Sequence, residues 1–94
     1  MPPYVFNYEH YARDGNQRVP FDVKVTYAYF PGIDSQISAN EIRLSVEVDM
    51  EPFNQFPRLT IIQDKIVNSI RRGALRRVVE RIENEGYEVI GIEF

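Results

Sequence analysis

Arginine is the residue with which this chain could do most chemistry. Five of its nine arginines fall in residues 70–82, IRRGALRRVVERI, as two Arg-Arg pairs around Gly73-Ala74-Leu75 and a fifth at Arg81. Guanidinium groups at that density suit two tasks. They can hold phosphate or another anion, or they can flank apolar anchors in a protein interface.

Other residue types offer less. His10 is the sole histidine, so any Ser-His-Asp arrangement must use it, and Ser45 and Ser69 have no nucleophile context around them. His10 sits in an aromatic strand pattern, where a structural role is expected. Glu47, Asp49 and Glu51 alternate along a strand with about 6.5 Å between successive carboxylates. Cation ligands converge from several elements, so this row reads as a solvated acidic face. There is no GxxxxGK or GxGxxG loop. With no cysteine, thiolate chemistry, disulfides and cysteine-bound zinc are excluded. The expectation is a protein with no catalytic residues, no metal and no cofactor.

Tyr4, Phe6, Tyr8, Tyr11, Tyr27 and Tyr29 lie on two strands, where aromatics can stack bases. A stacking platform needs a basic groove beside it, and Lys24 alone lies within those two strands. Tyr4, Phe6, Tyr8, Tyr27 and Tyr29 are therefore expected to cover a helix-facing core, with hydroxyls at its rim.

Charge is unevenly distributed. The net charge of −3 divides into −4 over residues 1–57, +5 over 58–82 and −4 over 83–94. The basic segment is either neutralised internally or offered to an anionic partner. Hydrophobic residues make up 44% and charged residues 27%, the balance of a folded domain rather than a disordered chain. No apolar run is long enough to span a membrane. The opening MPPYVFNYEHYARDG lacks the basic-then-apolar pattern of a secretory signal. A cytoplasmic home is expected.

Period-2 alternation marks the elements that must position these groups. Residues 4–11, 19–30 and 41–50 alternate. Val19, Phe21, Val23, Val25, Tyr27 and Tyr29 point one way in the clearest case. Asp14-Gly15 signals a hairpin turn, and Pro52 and Pro57 break EPFNQFP as a turn-rich segment. A helix over 61–84 begins at a Thr60/Gln63 capping box and ends at Gly86. A last strand, 87–94, follows. The chain reads as one α+β domain, residues 1–94, in β-β-β-α-β order. Its expected form is a two-layer sandwich: a mainly antiparallel four-stranded sheet with one long helix on one face.

The helix does not keep a single apolar face. At about 100° per residue, Leu59, Ile62, Ile66 and Ile70 cluster within about 40° of Ile66, whereas Leu75, Val78, Val79 and Ile82 cluster near ~160°. The helix bends at Gly73, or a second surface covers its C-terminal half. The second option predicts a homodimer or higher oligomer whose interface, or contact with another protein, comprises Arg71, Arg72, Leu75, Arg76, Arg77, Val78, Val79, Arg81 and Ile82. On the same wheel the arginines scatter, with Arg58, Lys65, Arg72 and Arg76 forming one ridge near ~240–280°. That scatter suits interface charges better than a phosphate-gripping stripe. The functional expectation is a small non-catalytic oligomeric module acting stoichiometrically on a protein partner, as an inhibitor, adaptor or assembly subunit. Nucleic-acid binding through the same helix is the alternative. A third reading sequesters a small anion between subunits with Arg72, Arg76, Tyr27 and Tyr29.

Overall fold

The computed structural model describes residues 3–31 and 38–89. Three long strands form an antiparallel sheet: β1 (Tyr4–Asp14), β2 (Gln17–Pro31) and β3 (Ser38–Val48). After β3 come a short helix α1 (Glu51–Gln55), a 3-10 segment (Pro57–Ile62) and the long helix α2 (Gln63–Asn84). A two-residue strand, β4 (Glu88–Val89), lies parallel to β3 and, among the described residues, meets it at Ser38↔Glu88 and Ala39↔Val89. The architecture is α+β. Residues 90–94 of the expected last strand and 32–37 of the expected loop lie outside the described residues.

The β1–β2 hairpin is longer than the sequence suggested. Asp14 pairs with Gln17, so the loop is Gly15-Asn16 alone. Gly15 has φ 62°, which the first central position of both primed turns requires and which matches the twist of the flanking strands. Alternation on β2 then buries Val19, Phe21, Val23, Val25, Tyr27 and Tyr29. Between Ala28 and Phe30 the β2–β3 register slips, so residues 41 and 42 oppose Tyr29 alone.

EPFNQFP is helical, not a loop. Pro52 and Pro57 each sit in the first turn of their helical segment, where the missing N–H costs nothing. This turn buries Phe53, whose ring lies 5.0 Å from that of Phe21. The expected capping box does not form. Thr60 Oγ1 donates to the Pro57 carbonyl at 2.6 Å, and α2 starts at Gln63 without a side-chain cap. The 3-10 segment winds at about three residues per turn, so helical phase is not continuous across it. Ile62 is consequently exposed, along with Ile61. At the other end, Gly86 (φ 97°) closes α2. The Gly86 N–H donates to Glu83 O at 2.9 Å and the Tyr87 N–H to Ile82 O at 3.4 Å, the paired bonds of a Schellman stop.

Helix α2 runs unbroken through Gly73. Its buried row is Ile66, Ile70, Ala74, Val78 and Ile82, one residue in every four. Each step of four advances about 40° around the helix, so the drift to ~160° accumulates gradually along one slanted ridge. Such an i, i+4 row is inclined about −26° to the helix axis. Successive strands of a sheet rotate by about −20 to −25°, so the row and the sheet turn together. One core cluster takes residues from both, namely Phe6 and the six β2 residues, Phe53 and Leu59, and the α2 row. Each large side chain buried there contributes roughly 1.5–3 kcal/mol.

Candidate functional site

The basic segment is divided by the fold into groups with different work. The guanidinium of Arg77 lies over the Tyr8 ring at 4.0 Å and that of Arg81 over Phe6 at 4.1 Å. Both arginines thus roof the aromatic row of β1, where cation–π attraction and stem packing hold them. Arg58 pairs with Asp14 at 3.0 Å, tying the 3-10 segment to the hairpin end and removing Arg58 from the expected ridge. Lys65, Arg71, Arg72 and Arg76 stand exposed on α2.

Two residues expected at an interface are withdrawn from it. Val78 and Ile82 are both fully buried in the chain's own core, because the slanted ridge keeps them over the sheet. Leu75 is buried and Val79 half-buried, about 60–100° further round the helix than Val78. With Arg72, Arg76, Glu80 and Glu83 they line an open concavity of about 490 Å³ on α2. Its floor is aliphatic and its rim carries two cations and two carboxylates.

The proposed anion set does not converge. Tyr27 and Tyr29 are buried on the helix-facing side of the sheet, while Arg72 and Arg76 are exposed on α2. The Tyr29 hydroxyl donates instead to the Glu85 carboxylate. Burial, reinforced by that bond, pushes the Tyr29 phenol well above its ordinary value. Tyr8 donates to the Ile70 carbonyl at 3.1 Å, and burial raises its phenol too, against the lowering effect of Arg77. The aromatic face is therefore a core cover with hydroxyls bonded at its edge. Tyr4, Tyr27 and Tyr29 form a stacked trio, with centroids 5.1 Å apart for Tyr4–Tyr27, 6.0 Å for Tyr4–Tyr29 and 6.4 Å for Tyr27–Tyr29. Tyr11 stands apart on the outer face, donating to Glu9 at 2.5 Å beneath the Arg18 guanidinium.

His10 is half-buried opposite Phe21. Its pKa is lowered, first by burial and then by the nearby Arg77 charge. Ser45 lies exposed on the outer face of the sheet and His10 on the inner, so the two cannot meet. The acidic row is broken up as well. β3 ends at Val48, Asp49 accepts the Glu51 N–H at 3.0 Å, and Glu51 accepts Asn54 Nδ2 at 3.3 Å. Among the described residues no cluster of three metal-ligating side chains occurs.

A second concavity, missed from the sequence, lies between α2 and β3. Val46, Val48, Met50 and Val67 give it an apolar lining, with Gln63, Asp64, Asn68 and Arg71 at its helix side, in about 470 Å³. The signal for it was present in the alternation of β3. One helix is about 10 Å across and strands lie about 4.8 Å apart, so a single helix covers roughly two strands. The apolar face of β3 is the surplus: Ile42, Val46 and Val48 stay half-buried, and Leu44 and Met50 are 36% and 41% exposed.

The described residues thus form an α+β fold with an aliphatic-floored concavity on α2 and a mixed polar and apolar one between α2 and β3. No protein-family model, curated protein or solved structure matches the chain.

Proposed function

We propose that this chain is a non-catalytic binding module that acts stoichiometrically on a protein partner through the outward side of α2. It is built as a two-layer sandwich, self-associates, and works in the cytoplasm, where its lack of cysteine suits a reducing environment. The observation that carries the reading is the make-up of the α2 concavity. Leu75 and Val79 form an aliphatic floor, and Arg72, Arg76, Glu80 and Glu83 surround it. Apolar anchors with arginine beside them are the residue mix of interface hot spots. Carboxylates on the same rim weaken phosphate binding and favour a surface of mixed charge. Nucleic acid is the poorer reading, since the exposed arginines do not form one stripe: Arg58 pairs with Asp14, and Arg77 and Arg81 lie over the rings of Tyr8 and Phe6.

The test uses Val79→Asp and the double variant Arg72→Ala/Arg76→Ala, both at surface positions that leave the core row intact. Each should keep the wild-type helical circular dichroism. A protein retained stoichiometrically by wild type should lose affinity by at least about tenfold for Val79→Asp, as expected for a hot-spot position. Retention indifferent to both variants would sink the proposal. Titration with DNA and RNA at 50 mM salt should give no binding. Affinity that falls steeply toward 200 mM would install the nucleic-acid reading instead.

A further inference from the structure

The β1 edge of the sheet carries charges that its own partner strand leaves unmatched, and we propose that two copies of this chain associate there, β1 against antiparallel β1. This gives the self-association proposed above a surface away from α2, and it does not depend on the partner read from that helix.

β1 stands at one end of the sheet order β1-β2-β3-β4. The segments outside the described residues attach at the far end of the strands. Residues 1–2 precede Pro3, 32–37 follow Pro31, and 90–94 follow Val89, which pairs with Ala39 beside Pro31. Tyr11 pairs with Pro20, eleven residues of β2 away from Pro31, or about 36 Å at strand rise. Six residues fully extended reach about 21 Å, so none of these segments covers the edge from Glu9 to Arg13.

The backbone of that edge faces outward. The Asp49 N–H donates to Asp22 O at 2.9 Å, so Asp22 turns its bonding groups toward β3 and away from β1. Glu9 lies directly opposite Asp22 and therefore turns its own groups away from β2. Bonding direction alternates along an antiparallel strand, so Tyr11 and Arg13 do the same. An uncapped edge of this kind is a template for another strand.

Its side chains define the partner. Within the hairpin Glu9 stands opposite Asp22 and Arg13 opposite Arg18, two like-charge pairs that are each unfavourable. Among the described residues the one ion pair is Arg58–Asp14, so neither Glu9 nor Arg13 meets an opposite charge. A strand offering a cation to Glu9 and a carboxylate to Arg13 relieves both, and β1 reversed about Tyr11 is such a strand. Glu9 of each copy then stands opposite Arg13 of the other, and Tyr11, 43% exposed, meets its counterpart on the two-fold axis. At all three positions outward N–H and C=O groups face each other. The remaining pairs set His10 against Ala12 and Tyr8 against Asp14, with no like charges opposed. Moving the axis to His10 sets Arg13 against Asn7, and moving it to Glu9 opposes the two glutamates. With the axis at Ala12, Glu9 falls opposite Gly15, beyond the partner strand. The Tyr11 register alone matches both charges.

Charge inversion tests this on the intact chain, with sedimentation velocity as the readout and far-UV circular dichroism confirming the fold. Wild type should sediment as a dimer at tens of micromolar. Arg13→Glu and Glu9→Arg should each weaken dimerisation at least about tenfold, because each opposes like charges twice across the axis. Within the hairpin both inversions instead meet an opposite charge, at Arg18 and Asp22, so neither should cost helical ellipticity. An equimolar mixture should restore association as a heterodimer. A monomeric wild type overturns the proposal, and so does a mixture no better associated than its components. A dimer indifferent to both inversions overturns this surface while leaving self-association itself standing. The register has its own check. Opposite residues of a hydrogen-bonded pair have Cα atoms about 5.5 Å apart, within the reach of a disulfide. In this cysteine-free chain, Tyr11→Cys should cross-link two copies under mild oxidation. Glu9→Cys should not, since its counterpart lies four residues along, about 13 Å away. Equal cross-linking of the two would overturn the Tyr11 register.

Discussion

Single side chains in this protein are assigned by what lies above them. Arg77 and Arg72 are five residues apart on one helix and both exposed, yet one lies over the Tyr8 ring and the other on a concavity rim. The same partition sets pH behaviour. His10 has its pKa lowered by burial and by Arg77, so the unfolded chain binds the proton more readily. Stability is undiminished above the ordinary value near 6.5 and falls as acid carries pH down through the depressed folded value. Tyr29 behaves oppositely, because burial and Glu85 raise its phenol. Its contribution is complete below the ordinary value near 10 and is lost as pH climbs beyond it. Denaturant melts across pH should therefore show His10→Gln narrowing the loss between pH 7 and pH 5, and Tyr29→Phe softening the loss above pH 10. Tyr29→Phe should also cost about 1 kcal/mol at neutral pH, from the lost hydrogen bond. A His10→Gln profile parallel to wild type on the acid side would refute the first assignment.

At the scale of elements, α2 explains both what the sequence disclosed and what it hid. Gly73 reads in sequence as a place to bend or break, and the helix continues through it unbroken. A Cβ built there would meet only the Tyr8 hydroxyl, at 3.6 Å, an ordinary contact distance. Gly73→Ala should then stabilise the domain by roughly 0.5–1 kcal/mol through helix propensity and reduced unfolded-state entropy. A lower midpoint in urea would mean that the helix needs the glycine after all. The strand elements were legible because their period of two projects straight onto a face, as β2 shows from Val19 to Tyr29. Helix phase was legible only locally. A wheel sorts Ile66 and Ile82 onto different sides, and only the twist of a sheet the wheel does not contain reunites them through Ala74. The α2–β3 concavity was hidden for a related reason. Strand alternation says which residues want cover, whereas the width of one helix decides which receive it. Of the expected interface, Leu75, Val79, Arg72 and Arg76 line one concavity and Arg71 another, Val78 and Ile82 are buried in the chain's own core, and Arg77 and Arg81 lie exposed over Tyr8 and Phe6.

At the scale of the whole molecule, the described residues of the sheet and of α2 share a single cluster of buried side chains, and cooperative unfolding is the expected consequence. Ile82 is fully buried near the C-terminal end of α2, and Phe21 is fully buried on β2 close to α1. No apolar boundary divides the cluster between them. A domain of this size draws stability from one modest core, so the helix cannot persist once the sheet is lost. Five of the chain's six tyrosines lie on the β1–β2 hairpin and there is no tryptophan, which makes tyrosine fluorescence mainly a reporter of the hairpin and ellipticity at 222 nm a reporter of α2. Both should give one midpoint on urea titration, as two-state unfolding requires. Ile82→Ala, which hollows the core, should lower both midpoints together by an amount worth 2–5 kcal/mol, roughly. Val79→Ala, at the half-buried concavity floor, should move them far less. Separate transitions for the two signals, or an Ile82→Ala effect confined to ellipticity, would mean that α2 is an appendage resting on an independently stable hairpin.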